Sequence, residues 1–210
     1  MGQKVNPISM RIQVTKDWAS KWFAAGKREF AKNLAEDVKI RNLIEQKFAT
    51  RAVIDQIDIE RAAGQITITI WTSKAGVVIG RGGEGVQSLR ADIERVASDP
   101  IRLNIEEVRK PDLAAKIVAE NIARQLEKRI NFRRASKMAL QNVMNAGAKG
   151  VRIEIGGRLN GAEMSRREKL IQGSVPLHTL RANIDYHLAV ANTQAGTVGI
   201  KVWINKGERH

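Results

Sequence analysis

From residue 77 the chain reads Val77-Val78-Ile79-Gly80-Arg81-Gly82-Gly83-Glu84-Gly85-Val86-Gln87-Ser88-Leu89-Arg90. A short apolar run meets four glycines interrupted by one arginine, and Val86, Leu89, Ile93 and Val96 then recur on one helical face. Glycine lets a partner approach the backbone without a Cβ in the way, and the first turn of a helix offers unpaired amides that favour anions. The chemistry on offer is phosphate binding. Bond-breaking groups are missing from the pattern. His178, His187 and His210 show no metal-ligand spacing with one another, and there is no cysteine to complete a set. His187 sits on an alternating face, where a hydrogen-bonded structural role fits better. No Gly-Lys-Ser/Thr follows the glycines, so there is no Walker A loop. The expectation is a protein that is not an enzyme, with no catalytic residue, metal, cofactor or small-molecule substrate.

Two nucleotide-binding templates fit these glycines. Gly80, Gly82 and Gly85 satisfy the dinucleotide pattern G-x-G-x-x-G, while Gly80-Arg81-Gly82-Gly83 satisfies G-x-x-G, the loop with which KH domains clamp the backbone of four nucleotides. The elements around the loop must decide. A dinucleotide loop follows a strand directly in a parallel β-α-β unit. Here the strand at 65–72 is followed by Ser73-Lys74-Ala75-Gly76 and a helical turn at 75–79 before the glycines. Upstream, a strand at 52–60 joins it through Arg61-Ala62-Ala63-Gly64, which reads as a tight antiparallel hairpin. A plain structural reading also exists, in which the glycines only let a helix pack near a turn.

Residues 28–48 read as a helix, with Phe30, Leu34, Val38, Leu43, Ile44 and Phe48 as its apolar positions. In the second strand Ile66, Ile68 and Ile70 face one way and Thr67 and Thr69 the other. A helix follows over 83–97, stopped by Ser98-Asp99-Pro100, and Ile101, Leu103 and Ile105 alternate into a third strand. The order is α-β-β-α-α-β. Arg109-Lys110-Pro111-Asp112 then reads as a linker, with Asp112 as the N-cap of a helix whose stripe is Leu113, Ile117, Ile122, Leu126 and Ile130. A second helix over 133–146 brings Arg133, Arg134 and Lys137 together at i+3 and i+4. After Gly147 the period becomes two. Val151, Ile153 and Ile155 mark one strand. Ala182, Ile184, Tyr186, Leu188 and Val190 mark another, and Val198, Ile200, Val202 and Ile204 a third, the last two forming a hairpin. Over 163–171 the run Arg166-Arg167-Glu168-Lys169 hides any period; a strand there completes a four-stranded sheet.

The chain of 210 residues has room for two domains, and 43% hydrophobic residues can supply a core to each. A net charge of +14 points to a polyanionic partner. Nucleic acid is favoured over membrane, since no stretch approaches the roughly 20 apolar residues of a span and no signal pattern opens the chain. The absence of cysteine leaves the cytosol as the default compartment. Residues 1–110 hold 19 Lys and Arg against 14 Asp and Glu, a balance of +5; residues 111–210 hold 17 against 8, a balance of +9. The second half is therefore expected to meet RNA as well. Over 1–27, basic residues mix with Trp18, Trp22 and Phe23, a composition that suits an arm stacking along RNA or a short helix packing its tryptophans on the next domain.

The order around the G-x-x-G loop looks like a type II KH domain, and longer motifs extend the likeness. Gly2-Gln3-Lys4-Val5-Asn6-Pro7, Phe132-Arg133-Arg134, Gly147-Ala148-Lys149-Gly150 and Gly156-Gly157-Arg158-Leu159-Asn160-Gly161-Ala162-Glu163 recur in one family, with Pro176-Leu177-His178-Thr179-Leu180-Arg181-Ala182 and Val198-Gly199-Ile200-Lys201-Val202-Trp203-Ile204. Over essentially its whole length the chain resembles the bacterial small-subunit ribosomal protein number three family. The resemblance implies an α+β protein: a basic arm over 1–27, a type II KH domain over 28–108, a linker over 109–112, and over 113–210 two helices on a four-stranded, mainly antiparallel sheet. It implies a cytoplasmic, structural component of the small ribosomal subunit that binds small-subunit rRNA in the head, beside proteins ten and fourteen.

Further implications follow residue by residue. Gly80, Arg81, Gly82 and Gly83 would be the KH loop. Arg133, Arg134 and Lys137, with Lys116, Arg124 and Lys128 as weaker candidates, would touch mRNA where it enters, beside proteins four and five, and help to hold it single-stranded. Lys4, Arg11, Arg158, Arg166, Arg167, Lys169 and Arg181 would contact rRNA. One departure stands out: the family often carries two basic residues between the outer glycines, and this chain has Arg81 and Gly82, which implies a weaker side-chain grip on phosphate. On the residues alone two other classes stay open: a KH-bearing assembly or transcription factor that visits RNA transiently, and a nucleotide-dependent oxidoreductase using Gly80, Gly82 and Gly85.

Overall fold

The structure is a computed structural model that describes residues 4–48, 52–62 and 64–208. Met1, the N-terminal motif's first positions Gly2 and Gln3, Ala63 of the hairpin and His210 lie outside the described residues. The chain divides into two compact units, Trp18–Arg109 and, from both ends of the sequence, Met1–Asp17 with Lys110–His210.

In the first unit the elements are β1 (Ser20–Lys21), α1 (Lys27–Phe48), β2 (Ile54–Ala62), β3 (Gln65–Thr72), α2 (Ala75–Ile79), α3 (Glu84–Glu94) and β4 (Ile101–Glu107). The sheet order is β1-β2-β3-β4; β2 and β3 are antiparallel, whereas β1 runs parallel to β2 and β4 parallel to β3. Ile66, Ile68 and Ile70 are fully buried with Ile59, against Ile40 and Ile44 of α1 and Leu89 and Ile93 of α3. Burying an isoleucine is worth about 1.5–3 kcal/mol. A one-residue slip of β3 would expose all three at a cost of roughly 5–9 kcal/mol, comparable to a small domain's whole stability, so the register is fixed.

Two expectations change here. Phe30, Leu34 and Val38 are 50%, 46% and 48% exposed rather than core. The inward face of α1 carries Glu36 and Asp37 before Ile40, Ile44 and Phe48. That orientation is held by Arg61, which donates to Glu36 at 3.1 Å and to Asp37 at 2.8 Å; Ser98 also donates to Glu36, and Trp22 to Asp37. The Trp18/Trp22 segment is not helical: it contains β1, and the Trp22 ring packs 5.4 Å from Phe30.

The second unit contains α4 (Ala115–Glu127), α5 (Phe132–Asn145), β5 (Gly150–Gly157), β6 (Arg166–Gly173), β7 (Ala182–Thr193) and β8 (Gly196–Glu208). Its sheet is antiparallel throughout in the order β6-β5-β8-β7, and the strand expected over 163–171 is β6. Val151, Ile153 and Ile155 of β5 and Val198, Ile200, Val202 and Ile204 of β8 form the core with Ile122, Leu126 and Phe132 from the helices.

Asp112 does not cap α4. It lies in a 3-10 turn, Pro111–Leu113, and the amide of Ala115 donates instead to Asp185 of β7 at 3.2 Å. Lys16 and Lys206 bond the same carboxylate at 3.4 and 3.0 Å. This contact also corrects the reading of β7. With Asp185 turned toward α4, alternation places His187, Ala189 and Ala191 on the helix side, so Leu188 and Val190 face outward, 47% and 53% exposed. Ala182 and Ile184 are buried on that outer face, in a small separate cluster with Trp203.

Candidate nucleic-acid interface

The glycine loop stands between two helices. α2 ends at Ile79, Gly80 turns the chain at φ +73°, and Arg81–Gly83 form a 3-10 turn leading into α3. Gly82 and Gly83 have φ of +61° and +82°, and a Cβ built on either meets nothing within 4 Å. They provide the left-handed backbone and leave the loop surface open. Gly85 is different, since its Cβ would stand 2.6 Å from the carbonyl oxygen of Val78, so this glycine lets α2 and α3 pack closely. The plain structural reading therefore holds at Gly85, and the dinucleotide template loses its last glycine to packing. Arg81 is exposed, and Val77 and Ile79 are 41% and 39% exposed beside the loop. Backbone amides, one guanidinium and two apolar side chains can seat a sugar-phosphate chain with a base against the aliphatic groups.

On the second unit, Asn131 caps α5 by accepting from the amide of Arg133 at 2.9 Å. The first two turns then present Arg133, Arg134 and Lys137, which line one shallow depression with Met138 and Gln141. Glu168 of β6 accepts from Arg133 Nε at 3.3 Å and Nη2 at 3.1 Å, and from Arg166 Nε at 3.3 Å. Both guanidiniums also lie over the Phe132 ring, at 5.6 and 5.8 Å. Hydrogen bonding from Arg133 is the main cause holding the Glu168 carboxyl below its ordinary range, so it is charged at neutral pH. Arg124 and Lys128 line a neighbouring groove of about 320 Å³ that shares Met138 with the α5 depression. Lys116, half-buried near the start of α4, lines neither.

The residues expected to meet rRNA are dispersed. Arg11 is a correction: it is fully buried, and its guanidinium donates to the carbonyls of Ala182, Pro7, Leu177, Thr179 and Pro176 at 2.8 to 3.4 Å. A cation whose donors are spent on backbone has none left for phosphate. Arg158 is exposed but braces a loop through Ala162 and Ala195 carbonyls, and Arg181 pairs with Glu208 at 3.1 Å. Gly157 is a strand-end position, since its Cβ would lie 2.9 Å from the Thr197 oxygen.

The opaque run in β6 resolves by face. Ile153 of β5 lies opposite Leu170 and Ile155 opposite Glu168, so Arg166 and Glu168 lie on the helix side, near α5. Arg167 and Lys169 point to the other face, where Lys4 also lies, its ammonium 5.9 Å from the Trp203 ring. Sequence reading assigns neither Phe132 nor Glu168 to the α5 patch: Phe132 opens α5 itself and joins the patch through its ring beneath the guanidiniums, whereas Glu168 is revealed only by the pairing register of β6. Among the described residues no group of three or more His, Asp or Glu could hold a metal ion, and no helix is long and apolar enough to cross a membrane.

Comparison with known proteins converges on one family. A model described as KH domain matches residues 39–113, and one described as Ribosomal protein S3, C-terminal domain, matches residues 122–204. The chain is similar to the small ribosomal subunit protein uS3 of Caldanaerobacter subterraneus subsp. tengcongensis, 54% identical over 208 residues that cover 99% of this chain and 93% of the relative. It is 53% identical to the protein of that name from Desulforamulus reducens, with the same coverage, and 50% identical to that from Ligilactobacillus salivarius, covering 94% of the relative. With the KH order, the open loop and both family models in place along one chain, the protein belongs to the small ribosomal subunit protein uS3 family, as a non-enzymatic structural component of the cytoplasmic small subunit.

Proposed function

We propose that this chain binds small-subunit rRNA in the subunit head and, with Arg133, Arg134 and Lys137, grips mRNA where it enters, keeping it single-stranded during translation. Proteins ten and fourteen are its neighbours in the head, and four and five lie beside it at the channel. The observation that carries the reading is the α5 patch: three exposed cations on two helical turns, lining one depression, of which only Arg133 is paired with a carboxylate, Glu168, among the described residues. Such a patch holds sugar-phosphate without reading bases, which suits a messenger of any sequence. Arg124 and Lys128 extend the cationic track, and the glycine loop offers a second, backbone-based clamp on the other unit. In this account nothing is hydrolysed by the chain.

The test is reconstitution of small subunits with Arg133→Ala, Arg134→Ala and Lys137→Ala combined. Assembly stays intact, and translation through a stable messenger hairpin slows while an unstructured messenger is read normally. Failed assembly with normal hairpin passage in the surviving particles would make the patch an rRNA anchor instead.

A further inference from the structure

Three stretches of the second unit meet around one concavity of about 570 Å³: the connection between α4 and α5, the turn at 158–161 and the tip of the hairpin between β7 and β8. Side chains hold its walls in place. Arg158 donates through Nε to the Ala162 carbonyl at 2.9 Å and through Nη1 to the Ala195 carbonyl at 3.2 Å, tying the turn to the hairpin. Glu127 of α4 accepts from the Asn192 amide at 3.1 Å, tying the helix to the same hairpin. Half-buried Ile130 and Ala195, with the buried Leu126, Phe132, Leu159 and Val198 behind them, line the interior. The volume falls in the range of small-molecule sites, about 300 to 1,000 Å³.

We propose that this concavity binds a free adenine nucleotide, with the base against the apolar lining and the phosphate on Arg129. Backbone geometry is the first reason. Among the described residues three that are not glycine have positive φ, and two of them, Arg129 at +61° and Asn160 at +56°, line this one concavity. Asparagine tolerates that conformation, whereas arginine is strained in it. Arg129 follows the α4 C-cap Lys128; its amide bonds the Leu126 carbonyl at 2.9 Å, and the Ile130 amide bonds that of Gln125 at 3.0 Å. This is the helix-ending turn at which glycine is preferred. An arginine there weakens the turn, so what it contributes is its side chain.

Unspent polar groups are the second reason. The guanidinium of Arg129 and the carboxamides of Asn160, Asn192 and Gln194 make no side-chain hydrogen bond or ion pair to any described residue, and all four line the concavity. A carboxamide presents a donor and an acceptor side by side, which matches N6 and N7 of adenine. A guanidinium matches a phosphate. Because Arg158 is occupied with carbonyls and Glu127 with the Asn192 amide, one unspent cation remains. That is enough for a single phosphate and too little for a run of them, so a mononucleotide fits better than a strand.

Equilibrium dialysis of the full chain against labelled AMP tests this, with GMP, adenosine and inorganic phosphate as competitors. AMP should bind once per chain, and each competitor should bind more weakly than AMP. Arg129→Gly separates a ligand role from a structural one, because glycine suits the turn: the variant should melt higher than native yet lose about tenfold in AMP affinity, with adenosine unaffected. Ala195→Phe lies at the hairpin tip between β7 and β8, fills the concavity without changing charge, and should abolish AMP and adenosine binding alike. A native chain that does not bind AMP overturns the site. So does native affinity in Arg129→Gly, or GMP or phosphate competing as well as AMP does. Small subunits reconstituted with the native chain should bind one AMP more than subunits carrying Arg129→Gly. Loss of that difference on assembly would give the concavity to an rRNA nucleotide and overturn its use by a free one.

Discussion

Removing the α5 patch has a magnitude that the structure constrains. For single-stranded RNA, log affinity falls with log salt by about 0.7 per phosphate neutralised. Arg133, Arg134 and Lys137 together therefore contribute about 2 to that slope. Across a fourfold rise, from about 50 to about 200 mM salt, the native chain should lose roughly 16-fold more affinity than the triple alanine variant. The three contributions are unequal, because Glu168 is shared between Arg133 and Arg166. Replacing Arg133 alone leaves the Glu168 carboxylate at the patch with only Arg166 to balance it against an incoming RNA. Arg133→Ala should therefore cost more affinity than Lys137→Ala, and Glu168→Gln added to Arg133→Ala should recover the difference. Glu168→Gln by itself should tighten binding several-fold at low salt and steepen the slope by about 0.7. Fluorescence anisotropy of an end-labelled, unstructured RNA reads all of these, with circular dichroism confirming the fold. A slope unchanged in the triple variant, or weaker binding in Glu168→Gln, would refute this reasoning.

Three other perturbations have definite expected outcomes. Gly82→Asp with Gly83→Asp places two anions and two strained residues, at about 1–3 kcal/mol each, on the open loop; the first unit should still fold while RNA footprints at the loop disappear, and unchanged footprints would show that the loop is not a clamp. Arg11→Met strips five carbonyls of their donor and should lower stability in urea titration by several kcal/mol while leaving the RNA salt slope unaltered; a flattened slope with native stability would restore it as an RNA contact. For Asp185, burial pushes the carboxyl up, but Lys16, Lys206 and the Ala115 amide outweigh it and hold it below its ordinary range. A depressed carboxylate stabilises the fold above its unfolded value, about 3.9, and loses that contribution as pH falls through the folded value. Asp185→Asn should therefore melt lower than native at pH 7, with the gap closing in acid; a gap independent of pH would mean that the charge is not what matters.

Much of this architecture was legible because periodicity and burial agreed. The isoleucines of β3 alternate in sequence and are buried in the structure, and Ala75–Ile79 could be placed as a helical turn before the glycines. What escaped was decided by long-range polar contacts. The side of α1 that turns inward depends on Arg61, 24 residues beyond Asp37, and the facing of β7 depends on the contact between Asp185 and Ala115, 70 residues apart. Arg11 read as one more basic residue on an arm because four of its five acceptors are carbonyls more than 160 residues away. The α5 patch was visible since i+3 and i+4 spacing is local, while Glu168 required strand register. Single charges are therefore the least legible part of such a sequence: the same arginine can meet RNA or hold a loop, and only its neighbours decide which.

The chain has no cysteine, so one introduced thiol is a unique attachment point. Gln141 lines the α5 depression with Arg133, Arg134 and Lys137. Gln141→Cys carrying an iron chelate, assembled into small subunits loaded with messenger, would generate hydroxyl radicals at the patch. Cuts in the mRNA, confined to a few nucleotides and absent without the tether, are the expected result. Cuts in rRNA alone, with the messenger untouched, would contradict the claim that this helix receives incoming mRNA.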